Sequence, residues 1–168
     1  MRLALKASLR PSAGRQALAL FAFVAVCLTI GAIGGAVTST SVGNWYQQLS
    51  KPSFNPPDWV FGPVWTVLYI AMAVAAWRVW RRLGFGDARD ALALFAIQLL
   101  LNLAWTILFF GFRQIGLALV EIVVLFAAIV ATTLAFWRRD RGAGLVFIPY
   151  LGWVGFAALL NASLWRLN

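Results

Sequence analysis

Apolar residues fill five stretches of the chain that carry no Lys or Arg over close to the length needed to cross a bilayer, about 20 residues. They are 17–37, 61–77 (apolar on to Trp80 past Arg78), 92–112, 115–137 and 144–165. Only Glu121 puts an acid inside any of them. The pattern predicts an all-α membrane protein: a single five-helix domain over 17–168, spans at about 17–37, 61–80, 92–112, 115–137 and 144–165, preceded by a basic, poorly ordered arm over 1–16. The first apolar run follows Arg2, Lys6, Arg10 and Arg15 as in a signal peptide, but it is longer than the usual ~7–15-residue core of one, so it reads as a retained helix. Too few residues lie outside the spans to build a second domain.

The connections are unequal. Residues 38–59 form the longest, stiffened by Pro52, Pro56 and Pro57, which fix φ and remove backbone donors. Its aromatic residues Trp45, Tyr46, Phe54 and Trp59 predict that it folds back over the helix ends as a lid. Residues 113–114 leave room only for a tight turn, so the third and fourth spans form an antiparallel hairpin. Pro149 falls inside the fifth span, where it frees a carbonyl and favours a kink. Gly31 and Gly35 make a G-x-x-x-G that suits close helix contact, read as packing inside the bundle ahead of dimerisation.

Composition agrees: 62% of the 168 residues are hydrophobic and 11% charged, against about 45–50% and about 25% in ordinary globular chains. The net charge of +9 follows topology. With five spans, Arg2, Lys6, Arg10, Arg15, Arg78, Arg81, Arg82, Arg89, Arg138, Arg139 and Arg141 share one side, and only Lys51, Arg113 and Arg166 lie on the other. That asymmetry places the N-terminus in the cytoplasm and the C-terminus outside. It is compatible with anionic lipid and gives no reason to expect nucleic acid as a partner. The chain has no His and one Cys, Cys27. Histidine-based acid–base chemistry, Ser-His and Cys-His nucleophiles, an internal disulfide and a thiol–imidazole metal site are all excluded.

The nine tryptophans hold the candidate chemistry. Trp45, Trp59, Trp77, Trp80, Trp137 and Trp165 lie at span ends, as an interfacial belt requires. Three do not. At ~1.5 Å per residue, Trp65 and Trp105 lie roughly 7 and 10 Å below the outer ends of their spans, and Trp153 lies near the midplane. Helical spacing puts Trp65, Tyr69, Met72 and Ala76 on one face, Gln98, Asn102, Thr106 and Phe109 on another with Trp105 beside it, and Trp153, Ala157, Leu160 and Asn161 on a third. Amides are costly in lipid, so Gln98, Asn102 and Asn161 should face inward, either to meet a ligand or to bond helix to helix. Glu121 is expected to pair with Arg113 or an amide, with a proton-linked role as the alternative.

These residues resemble a known family. Trp45-Tyr46, Lys51-Pro52, Pro56-Pro57, Trp59, Pro63-Val64-Trp65 and Leu68-Tyr69 look like the signature of the tryptophan-rich sensory protein/translocator protein (TspO/MBR) family. Gln98-Leu99, Leu101-Asn102, Trp105 and Phe109-Phe110-Gly111 resemble its third helix, and Pro149-Tyr150-Leu151, Trp153, Phe156-Ala157 and Leu160-Asn161 its fifth. The resemblance implies a five-helix bacterial membrane protein, often a homodimer, with a pocket under the first loop. It implies porphyrins such as protoporphyrin IX as ligands, with sterols and isoquinoline carboxamides as further guests and no obligatory cofactor. By motif the pocket residues are Tyr46, Trp65, Tyr69, Asn102, Phe109, Trp153 and Ala157. Two departures stand out: Ser53-Phe54 follows Lys51-Pro52 where many members have Trp, and Asn161 is followed by Ala162-Ser163 where the sterol segment of animal relatives needs Tyr. The expected function is a tetrapyrrole-binding sensory protein linked to porphyrin level, light, oxygen or stress. The alternatives are light-dependent porphyrin degradation using Trp65 or Trp153, and transport of porphyrin or other lipophiles.

Overall fold

The computed structural model describes residues 12–168, and all the regular secondary structure among them is helical. Helix α1 (Ala13–Val42) begins where the Ser12 hydroxyl accepts from the Arg15 amide, and a short α2 (Trp45–Gln48) follows. A 3-10 turn at Asp58–Val60 leads into α3 (Phe61–Thr106), which unwinds into a π turn at Ile107–Gly111. Helices α4 (Ile115–Arg139) and α5 (Arg141–Leu167) complete the chain. Among the described residues, four helical segments are long and apolar enough to cross a membrane. The protein is an all-α membrane protein.

Several boundaries differ from expectation. The arm expected over 1–16 lies outside the described residues up to 11, but 13–16 already belong to α1. The first span is longer than 17–37, and the first five residues assigned to the loop, 38–42, continue α1. The hydroxyls of Thr38, Ser39 and Thr40 donate to the carbonyls of Gly34, Ala36 and Val37, so these polar residues satisfy themselves within the helix. The connection between the second and third spans is no loop: two helices meet at Gly84 and together are labelled α3. That connection was expected to be a loop because it is charged, yet Arg81, Arg82, Asp87, Arg89 and Asp90 all sit in helix.

The turn within α3 is made by Gly84 alone, at φ 70° and ψ −177°, a region open essentially only to glycine. Beyond it the chain runs back along itself. Tyr69 bonds Asn102 across 33 positions, and Gln98 reaches Met72 across 26. Fully buried alanines, Ala73, Ala75, Ala76, Ala88 and Ala91, let the two halves approach closely. Gly31 of α1 serves the same purpose. A Cβ there would lie 2.8 Å from the Tyr69 ring.

The α4–α5 corner is fixed by charge. Asp140 is 3% exposed, caps α5 through the Ala143 amide at 2.9 Å, and pairs with Arg78 and Arg82 at 3.1 and 3.0 Å. Burial works against its charge, but the Ala143 amide and the two guanidinium groups outweigh it and hold the carboxyl below its ordinary range. Helix α5 runs unbroken through Pro149. Trp80, expected at the membrane interface, is buried against Phe85 instead.

Candidate functional site

The three sequence-expected faces meet around one cavity of about 700 Å³. The first half of α3 contributes Trp65 and Tyr69, the second half Asn102 with Trp105 and Thr106, the π turn Phe109, and α5 Trp153 and Ala157. Tyr46 closes the outer end from α2. All seven residues singled out as pocket candidates therefore lie on its wall. Met72, Ala76 and Gln98, expected on the same faces, do not. They sit deeper, fully buried in the core below.

The wall is held by a chain of hydrogen bonds. The Tyr69 hydroxyl donates to Asn102 Oδ1 at 2.6 Å, Asn102 Nδ2 donates to the Tyr150 hydroxyl at 3.0 Å, and Tyr150 donates to Gln98 Oε1 at 2.9 Å. Nearer the outer end, Trp105 Nε1 donates to Asn161 Oδ1 at 3.1 Å, and Asn161 Nδ2 to the Ile115 carbonyl at 2.9 Å. The three amides face inward as expected, and their partners tie α3, α4 and α5 together. Asn102 does both things, bonding its neighbours and lining the cavity. Aromatic packing sets the remaining surfaces: Trp105 stacks on Phe109 with centroids 5.3 Å apart, Trp65 meets Tyr69 at 5.8 Å, and Phe61 meets Trp153 edge-on at 5.7 Å.

Two polar groups stand apart. Trp153 Nε1 is buried without a partner on the cavity wall, and both carboxyl oxygens of Glu121 are buried without one. The expected pairing of Glu121 with Arg113 or an amide is not found. Arg113 lies beyond the start of α4, eight positions or ~12 Å along the helix axis, and the amides of Gln98, Asn102 and Asn161 are committed elsewhere.

At the outer end the loop is fastened to its surroundings. The Ser50 amide donates to Asn168 Oδ1 at 2.9 Å, and Asn168 Nδ2 returns a bond to the Ser50 carbonyl at 3.1 Å. Tyr46 donates to Asn55 Oδ1 at 2.8 Å, and Gln47 Nε2 donates to Asp58. Burial, then the nearby Asp58 charge, pushes the Tyr46 phenol up to about 12. Lys51 Nζ stands 4.8 Å over the Tyr46 ring. Phe54 packs edge-on against Phe156 at 6.3 Å.

Sequence reasoning missed one wall entirely. Gly31, Gly34, Gly35, Thr38 and Ser39 of α1 line the cavity, as do Asp58 and Trp59. The G-x-x-x-G was the available signal, but it pointed to helix packing. That holds for Gly31, whereas a Cβ at Gly35 would meet nothing within 4 Å.

Comparison with known proteins gives the arrangement its place. The sequence model of the TspO/MBR family matches residues 23–166. Tryptophan-rich protein TspO of Chlorobaculum tepidum is 42% identical over 92% of this chain and 98% of its own length. The tryptophan-rich sensory protein of Cereibacter sphaeroides is 42% identical over 86% and 92%, and the human translocator protein 45% identical over 74% and 75%. With its motifs gathered on one cavity and its likeness running through every helix, this chain belongs to the TspO/MBR family.

Proposed function

We propose that the protein is a membrane receptor for planar tetrapyrroles such as protoporphyrin IX, acting in sensing or homeostasis. The observation that carries this is the cavity itself: a mainly apolar volume of about 700 Å³ whose walls include Trp, Tyr and Phe rings at several tilts. Such walls favour a flat conjugated guest through ring packing and apolar burial. In this reading each half of α3 crosses the membrane, giving five spans. Residues 61–83 and 85–106 are each about 34 Å long at 1.5 Å per residue, enough for a ~30 Å hydrocarbon core. The N-terminus is cytoplasmic, and the fastened loop is the lid on the outer side. Lys51, 4.8 Å over the Tyr46 ring, is a cation that the acidic edge of a porphyrin can meet at the loop end of the cavity. Isoquinoline carboxamides suit the same walls, and a homodimer is the assembly the family likeness suggests. Sterols are the poorer guest by motif, because Asn161 is followed by Ala162-Ser163.

Protoporphyrin IX titrated into wild type and Trp153→Ala tests the reading. Loss of a ring from the wall should weaken binding about thirtyfold, the lower bound of a hot-spot truncation. Equal affinities would remove this cavity as the site.

A second reading, light-dependent degradation of bound porphyrin, is favoured by one observation: Trp65 and Trp153 both border the volume the pigment would occupy. Porphyrin absorption followed under illumination should decay more slowly with Trp65→Phe/Trp153→Phe than with wild type. Equal decay would reject the tryptophan route.

A further inference from the structure

The cavity is closed on most sides, and the exception has a definite place. The wall residues from the second half of α3, the π turn and α5 are largely buried, among them Asn102, Phe109, Ala157 and Asn161. The outer end is fastened by the Ser50–Asn168 pair and the Tyr46–Asn55 bond. The inner end stops at the Tyr69–Asn102–Tyr150 chain and at fully buried alanines. Between α1 and the first half of α3 the situation reverses. Ala32, Gly35 and Ser39 on one helix, and Gly62 and Thr66 on the other, with Asp58 and Trp59 just before it, line the cavity and are exposed. Exposed wall residues mark where the cavity comes nearest the surface of the bundle.

The rim of this opening is built for lipid. Its hydroxyls, Ser39 and Thr66, donate to Ala36 and Gly62 carbonyls of their own helices, leaving no free donor to hold water. Gly35 lies seven residues, about 10 Å, below the end of α1, inside the hydrocarbon depth. Added Cβ atoms at Gly35 and Gly62 would meet nothing within 4 Å. Neither glycine is needed for packing, unlike Gly31 against Tyr69. Their effect is to leave the gap unfilled. Trp153 Nε1, buried on the cavity wall without a protein partner, leaves one donor that a guest's hydrogen-bond acceptor could meet.

We propose that the seam between α1 and the first half of α3 is a lateral port, kept open by Gly35 and Gly62. Through it the cavity exchanges membrane-dissolved apolar guests with the outer leaflet, not with bulk water. This rests on the receptor reading for the guest's identity but not for the port's existence.

The test uses the full chain in nanodiscs. Protoporphyrin IX association and dissociation, followed by tryptophan quenching, should both slow in Gly35→Leu/Gly62→Leu, association by about tenfold, because a barrier acts on both rates. Asn168→Ala, which loosens the outer loop, should leave both rates unchanged. Unaltered rates in the leucine variant, weakened affinity at an unaltered association rate, or faster exchange in Asn168→Ala would each overturn the port. A second probe needs no tetrapyrrole recognition: 1-bromonaphthalene dissolved in the bilayer, which quenches indoles on contact. Its quenching of the emission from Trp65 and Trp153, isolated by difference from a Trp65→Phe/Trp153→Phe background, should be strong in wild type and largely lost in the leucine variant. Equal quenching in both overturns the port. Failure of wild type to bind protoporphyrin IX, with bromonaphthalene behaving as stated, would remove the receptor reading and leave the port standing.

Discussion

Tyr69 has three neighbours that define its role: Gly31 under its ring, Trp65 beside it, and Asn102 accepting its hydroxyl hydrogen at 2.6 Å. Tyr69→Phe keeps the ring contacts and strands the Asn102 oxygen. The expected cost is about 1–3 kcal/mol, the usual penalty for a buried group left unsatisfied, measured as a lowered unfolding free energy in mild detergent. No change would mean the bond contributes nothing net. Glu121 makes the opposite case. Its carboxyl oxygens have no partner to lose, so Glu121→Leu should leave stability unchanged or raise it by about 1–3 kcal/mol. A clear loss would reveal a partner or guest at that position. Both residues were visible in the sequence, one by its four-residue spacing from Trp65 and the other as the single intramembrane acid. Their bonding was not, because pairing depends on which amides other helices have already engaged.

At the scale of elements, α3 was the hardest to read. Hydropathy marks two apolar halves in it, and the charges between them read as a loop. Arg, Asp and Leu are compatible with helix, however, and only Gly84 departs from it. Gly84→Ala isolates the conformational cost, since a Cβ there touches nothing within 4 Å. It should destabilise the protein by about 1–3 kcal/mol; an unchanged melting temperature would show that the turn can be made another way. The α4–α5 corner carries a pH signature. Because the Asp140 carboxyl is held below its ordinary range in the folded protein, its contribution is fully present above the ordinary carboxylate range. It is lost as pH falls through the lowered folded value. Thermal stability should therefore drop on strong acidification in wild type, and Asp140→Asn should be less stable at neutral pH with that acid-dependent step missing. An identical acid profile in the two proteins would assign the step to other groups.

For the whole molecule, the legible part of the site was the part made of large side chains. Trp65, Tyr69, Phe109 and Trp153 announce themselves because helical spacing aligns them and aromatic rings are out of place at that depth. The α1 wall is made of Gly, Ala, Ser and Thr, residues ordinary in any membrane helix, so no sequence signal separates a cavity wall from a packed seam. Three dimensions separate them: Gly31 is filled by a neighbour and Gly35 by nothing. The architecture that results is an aromatic chamber with a hydrogen-bonded floor and one side thinned by glycine.

The most direct test of that chamber as a receptor is a titration of protoporphyrin IX into wild-type protein in nanodiscs, read at the porphyrin's main absorption band against empty nanodiscs. A single saturable site per chain, in excess of partition into lipid, is the expected result. A linear response indistinguishable from empty nanodiscs would contradict it.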